Sequence, residues 1–253
     1  VYVVDTTGRI QVFTRDGEFV RLWNMPKHDN GTPTCISFAK DGRVLVPDTH
    51  YSRIAEFSDT GELQTMWGSY GSVPGDFIYP TGIAELSDGR YFISEYGDGT
   101  ERVQVFGADR AFEHTWGSHG TEPSQFNRAM AIAVGPDSTV CVADTTNHRL
   151  QLFDTEGSLL RIIGAPGTDR GDLKFPQGLS IAPDGSLVVC EYGSNRVSRF
   201  SASGKFLGTF GSAGRAPGQF ASPRGVAVST DGDVFVADTD NHRIQRFALE
   251  AIV

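Results

Sequence analysis

Short apolar runs recur along the whole chain, each broken by Gly, Asp or Asn within a few residues. The runs are rich in Val, Ile and Phe, and no segment sustains a 3.6-residue period. The pattern therefore predicts many short strands and almost no helix. Six of the runs end on an acid: VYVVD at Asp5, RVLVPD at Asp48, YFISE at Glu95, VCVAD at Asp144, LVVCE at Glu191 and VFVAD at Asp238. These acids are spaced 43, 47, 49, 47 and 47 residues apart. After each acid a short turn leads to an arginine and an apolar residue: Arg9-Ile10, Arg53-Ile54, Arg102-Val103, Arg149-Leu150, Arg196-Val197 and Arg243-Ile244.

Each unit reads as four strands. In the stretch from Pro80 to Trp116 these are GIAEL, YFISE, RVQVF and AFEHTW, with Ser87-Asp88-Gly89 and Ala108-Asp109-Arg110 as turns. Four short strands repeated about every 47 residues are the signature of a propeller blade, because one such sheet cannot cover its own apolar faces and must pack on its neighbours. Six second strands predict an all-β, six-bladed β-propeller of four-stranded antiparallel blades, occupying residues 1–253 as one domain. The seam is irregular. The first blade begins at its second strand, and only Ala248–Val253 remains for a fourth strand in the last. Either the ordered region starts late or the tail Ala251-Ile252-Val253 helps close the seam.

The unit GQFASPRGVAVSTDGDVFVADTDNHRIQRF, Gly218 to Phe247, resembles the NHL repeat, with Asn241-His242-Arg243 at its Asn-His-Leu signature. TTNHRLQLF, Thr145–Phe153, is similar. The resemblance extends over essentially the whole chain. It loosens where Thr7-Gly8-Arg9 and Tyr51-Ser52-Arg53 lack Asn-His, and where Gly97–Glu101 carries two extra residues. It implies a six-bladed propeller but no single function, since function sits on sites rather than folds. Its likeness to stand-alone bacterial repeats implies an extracytoplasmic setting.

Composition narrows the partners. Lys and Arg total 22 against 31 Asp and Glu, a net charge of -9, which argues against a phosphate backbone as partner. The arginines outside the repeat positions are scattered, without a basic run interleaved with aromatics. No apolar run approaches the ~18 residues of a membrane span. Cys35, Cys141 and Cys190 sit inside apolar runs with no metal-ligand spacing, so they read as buried hydrophobes.

The repeated acid–arginine pairs, with His148 and His242 beside them, read as scaffold: a carboxylate accepting backbone N–H groups across a loop and pairing with a guanidinium. Some NHL-like propellers are enzymes, and the resemblance permits two tests. The amidating lyases place zinc-binding histidines at the mouths of their innermost strands. The matching positions here are Thr34, Thr81, Met130, Gln177 and Arg224, none of them His. Lactonase-like hydrolases use acids there, and none appears. The remaining histidines, among them His28, His114 and His119, are scattered, and the loop Asp98–Glu101 reads as a solvated insertion. No catalytic, metal or cofactor residue is assigned, and a propeller-centred hydrolase or lyase is the alternative. The preferred reading is a non-enzymatic binding scaffold for a protein, peptide or small molecule. In a propeller the fourth-to-first and second-to-third strand loops share one end. The fourth-to-first loops are long: Trp67–Pro80, Trp116–Ala129, Ile163–Pro176 and Phe210–Pro223 each step 13 residues. The contact candidates at this end are His50, Tyr51, Tyr70, Tyr79, Tyr96 and Tyr192, with Thr34, Thr81, Met130, Gln177 and Arg224 at the channel mouth. Arg224 is the one charge among the last five, with planar donors suited to a carboxylate or phosphate.

Overall fold

The computed structural model describes residues 1–27, 29–31 and 33–252. The chain divides into two compact units, Val1–His119 and Gly120–Val253, with three blades in each. In the first unit, the first sheet holds Tyr2–Val4, Arg9–Phe13 and Phe19–Asn24. The second holds Ser37–Phe38, Val44–Asp48, Arg53–Phe57 and Leu63–Trp67, and the third Tyr79–Glu85, Tyr91–Tyr96, Arg102–Phe106 and Phe112–Trp116. In the second unit, the fourth sheet holds Ala129–Val134, Val140–Asp144, Arg149–Phe153 and Leu159–Ile163. The fifth holds Pro176–Ile181, Leu187–Glu191, Arg196–Phe200 and Phe206–Phe210, and the sixth Pro223–Val228, Asp233–Asp238 and Arg243–Ala248. All six are antiparallel meanders in sequence order, which is the strand arrangement of a six-bladed β-propeller. The helical turns among the described residues are short 3-10 turns, such as Thr49–Tyr51 and Thr239–Asn241.

The first sheet does start at a second-strand equivalent. The sixth gains no fourth strand among the described residues. Leu249–Ala251 forms a 3-10 turn instead, and Leu249 and Ile252 bury against Val234 and Val236. Val253, the last residue of the expected seam tail, and His28 lie outside the described residues.

The apolar cores lie between successive blades. In the second unit, Cys141, Leu150 and Leu152 pack on Leu187, Val189 and Phe200. In the first, Leu45 and Ile54 pack on Ile83, Tyr91 and Phe106. Second strands such as Val140–Asp144 are buried along their whole length, as expected for central strands covered on both faces. The pairing of third and fourth strands slips just before Phe57, Phe106, Phe153 and Phe200, and each of these rings is driven into the core. Tight turns join first to second strands: Gly42, at φ 89, donates its N–H to Ala39 O, while Asp41 Oδ1 accepts the Arg43 N–H.

The second blade departs from this rule. Its first strand is only Ser37–Phe38, pairing no further along its partner than Leu45. Pro47 follows in that partner strand and has no N–H with which to continue the ladder.

Candidate functional site

In the third to sixth blades the repeat pair anchors the loop that enters the blade. Asp144 is fully buried and accepts the Asn127 N–H at 2.8 Å, Asn147 Nδ2 at 2.9 Å, Arg149 Nε at 2.7 Å and Gln151 Nε2 at 3.0 Å. Burial pushes its carboxyl above the ordinary value against these bonds. Arg149 Nη2 turns the other way and donates to the Glu122 and Gln125 carbonyls of the preceding loop, at 2.8 and 2.9 Å. Asp238 and Arg243 repeat this with the Ala221 N–H and the Ala216 and Gln219 carbonyls. The arginine thus ties its own blade's acid to the loop that enters the blade, as the scaffold reading requires. His148 and Asn195 add a further tie. Both hold left-handed backbone, φ 58 and 54, and accept the N–H of Phe175 and Ser222 respectively.

The structure sorts the contact candidates into groups. In the first unit the rings of His50 and Tyr79 lie 6.0 Å apart, and those of Tyr79 and Tyr96 5.6 Å. Tyr70 is 69% exposed and donates its hydroxyl to Asp98 Oδ2 at 3.1 Å. That carboxylate holds the phenol above its ordinary value. Tyr51 instead covers Arg53, with the guanidinium 5.0 Å from its ring centroid, and its hydroxyl accepts the Asn30 N–H. Thr34 is exposed, its hydroxyl 3.2 Å from that of Thr49. Thr81 does not fit the expectation of a channel-mouth contact. It is fully buried and its hydroxyl donates to Ser94 O at 3.1 Å, because the residue after Pro80 turns into its own sheet. In the second unit, Met130 and Gln177 are half-buried and Arg224 is exposed. The Arg224 guanidinium stacks over the Tyr192 ring at 5.2 Å, and Tyr192 keeps 38% of its surface exposed. Among the described residues, Arg224 makes no ion pair.

The loop Asp98–Glu101 is not uniformly solvated. Asp98 is exposed, whereas Glu101 is only 6% exposed and its carboxylate lies 3.9 Å from His119 Nδ1. Among the described residues no three His, Cys, Asp or Glu side chains are grouped as metal ligands would be. Cys141 and Cys190 are buried and Cys35 half-buried. A cavity of about 340 Å³ opens at the tight-turn end of the second unit, lined by Asp137, Thr139, Cys141, Ile181 and Asp184, away from the long loops.

One buried cluster has no counterpart in the sequence reading. Glu56 is fully buried and accepts Trp67 Nε1 at 2.7 Å and Arg110 Nε and Nη2 at 2.8 and 2.9 Å, as well as Arg43 Nη1. Arg43 belongs to the second blade and Arg110 to a turn of the third, so the carboxylate joins two blades. Its signal in the sequence is faint: an acid inside the apolar run RIAEF, with partners 13 and 54 residues away.

The NHL repeat family model matches residues 173–200 and 220–247. NHL repeat-containing protein 3 of Homo sapiens is 26% identical over 156 residues, 57% of this chain and 45% of that protein, so the chain spans less than half the length of this relative. Three solved structures align over nearly the whole chain. Virginiamycin B lyase from Staphylococcus aureus gives a TM-score of 0.63 at 17% identity, over 98% of this chain and 83% of that one. A nidogen/laminin complex gives 0.72 at 15%, over 98% and 89%, and an auxiliary nutrient binding protein from Bacteroides thetaiotaomicron 0.70 at 12%, over 97% and 65%. At these identities the likeness shows the fold alone. With the repeat acids, arginines and blade order described above, the chain carries NHL repeats at residues 173–200 and 220–247 and has the blade order of a six-bladed β-propeller.

Proposed function

We propose that this propeller is a non-enzymatic binding module that engages a protein, peptide or small molecule at its loop-bearing end. The observation that carries the reading is Arg224, an exposed guanidinium stacked on a half-exposed tyrosine with no carboxylate paired to it among the described residues. By contrast, the arginines of this unit's repeat pairs, Arg149, Arg196 and Arg243, are all bound to a buried acid. In a protein of net charge -9, an exposed arginine without a carboxylate partner is suited to an anionic group. The planar donors give direction, and Tyr192 holds the guanidinium in one plane while adding contact area. The nidogen/laminin complex and the nutrient binding protein support binding as a use of this fold.

A thermal-shift panel of succinate, inorganic phosphate and a short poly-glutamate peptide tests this on the wild type and on Arg224→Ala. At least one probe should stabilise the wild type, and the stabilisation should vanish in the variant. Equal shifts in both proteins, or none with any probe, would contradict the anchor.

A further inference from the structure

The six repeat acids form an internal control, and one of them stands apart. In the third to sixth blades, the acid's outer oxygen accepts a loop N–H from the residue 17 positions earlier. The donors are Ile78 to Glu95 at 2.7 Å, Asn127 to Asp144 at 2.8 Å, Lys174 to Glu191 at 3.0 Å and Ala221 to Asp238 at 2.7 Å. In the same four blades, Nη2 of the partner arginine donates to a loop carbonyl: Asp76, Gln125, Asp172 and Gln219, at 2.8 to 2.9 Å. Each pair therefore grips one backbone N–H and one backbone C=O.

In the second blade neither grip is occupied among the described residues. Asp48 is fully buried and receives Arg53 Nε at 2.8 Å on Oδ2, but its Oδ1 and Arg53 Nη2 are buried without a hydrogen-bond partner among the described residues. Four sequence departures remove the usual occupants. The entering loop from Trp23 to Pro33 is three residues shorter than the 13-residue loops of the other blades. Gly31 stands at the donor position but lies against the His50 ring, close enough that a Cβ there would fall 2.4 Å from it. Asn147 and Asn241, which donate to their acids, correspond to Tyr51. Gln104, Gln151 and Gln245, which also donate to the acid, correspond to Ala55, whose side chain ends where theirs carry a carboxamide. Pro47 and the two-residue first strand leave the sheet unpaired beside this point. A buried carboxylate oxygen and a buried guanidinium N–H left unmatched are both costly, and their natural complement is one group that donates and accepts together.

We propose that Asp48 and Arg53 form a docking point for an amide group of a peptide ligand, its N–H donating to Asp48 Oδ1 and its C=O accepting from Arg53 Nη2. That is the chemistry the equivalent atoms hold in four other blades of the same protein. Tyr51 covers the pair and has to rotate aside for entry. The rings of His50, Tyr79 and Tyr96 form a row that starts two residues after Asp48 and offers contact surface for the flanking peptide. The proposal does not use Arg224, and neither reading depends on the other.

The test is a titration of the whole ¹⁵N-labelled protein with N-acetyl-glycyl-glycine amide, followed at the Arg53 Nε–H resonance. The wild type should show a saturable shift. Ala55→Gln, which restores the carboxamide of the other blades, should weaken binding at least tenfold without lowering Tm. If Ala55→Gln does not fold, Ala55→Ser takes its place under the same criterion, since Ser198 fills this position in the fifth blade and donates to Glu191 at 2.5 Å. Arg224→Ala should leave the isotherm unchanged. No saturable shift in the wild type, as water alone at the pair would give, overturns the proposal, and so does equal affinity in the Ala55 variant.

Discussion

Replacing Glu56 by alanine should separate the stability of the first unit from the rest of the account. The substitution removes the acceptor for Trp67 Nε1, for both Arg110 nitrogens and for Arg43 Nη1, while Arg43 keeps Asp41 and the Tyr91 hydroxyl. Breaking a buried ion pair by deleting one partner costs roughly 3–5 kcal/mol. The Arg43 and Arg110 side chains retain 24% and 33% of their surface, so water relieves part of the loss and about 3 kcal/mol is the expected figure. For a protein of this size that corresponds to a fall in Tm of roughly 6–12 °C. Urea denaturation followed by tryptophan fluorescence measures it directly, with Trp67 reporting on the site. The pH dependence supplies an internal check. Burial alone would raise the Glu56 carboxyl, but the hydrogen bonds of Arg110 and Trp67 and the two guanidinium charges outweigh it and hold it below its ordinary value. A depressed carboxyl contributes stability above its unfolded-state pKa and loses it as pH falls through the folded one. The gap between wild type and Glu56→Ala should therefore be full at pH 7 and close below about pH 4. A gap under ~0.5 kcal/mol at pH 7, within the range of an ordinary surface substitution, would refute the clamp.

Three further outcomes follow from the repeat geometry. Asp144→Ala should cost about 3–5 kcal/mol and Asp5→Ala markedly less, because Asp144 is fully buried whereas the Asp5 and Arg9 side chains keep 20% and 45% of their surface; parallel urea curves decide it. His148 carries a depressed pKa, through burial and the Lys174 charge, and accepts the Phe175 N–H, so wild-type stability should fall as pH drops below about 6.5. His148→Asn, copying Asn195, should keep the acceptor and flatten that part of the pH–stability curve; an unchanged slope would show that another group titrates there. Burial pushes the Cys141 thiol up and the Cys190 thiol to about 12, so both should resist a thiol reagent at pH 8 until the protein is denatured.

The blade order was legible because a period of four strands and an acid–turn–arginine signature repeat in phase, and both depend on local residues. The roles of Asp144 and Arg149 followed from their spacing alone. Thr81 misled because the first-strand positions share a sequence place while their side chains point differently: Thr34 is exposed while Thr81 turns onto Ser94. The Glu56 cluster was illegible because its partners come from a different hairpin and a different blade. The short first strand of the second blade traces to Pro47, which removes one ladder donor. The loss of partners at Asp48 has a sequence signal in Ala55, which breaks the series Gln11, Gln104, Gln151, Gln245, but it gains meaning only beside the buried, unmatched oxygen.

The binding reading rests most directly on the affinity of Arg224 for an anionic group. Calorimetric titration of the wild type and Arg224→Ala with the short poly-glutamate peptide, at low and at physiological salt, measures it. A charged hydrogen bond of roughly 1.5–3 kcal/mol predicts an affinity lower by about tenfold to a hundredfold in the variant. The difference should shrink as salt rises. An affinity ratio below about twofold at both salt concentrations would contradict an anchoring role for Arg224.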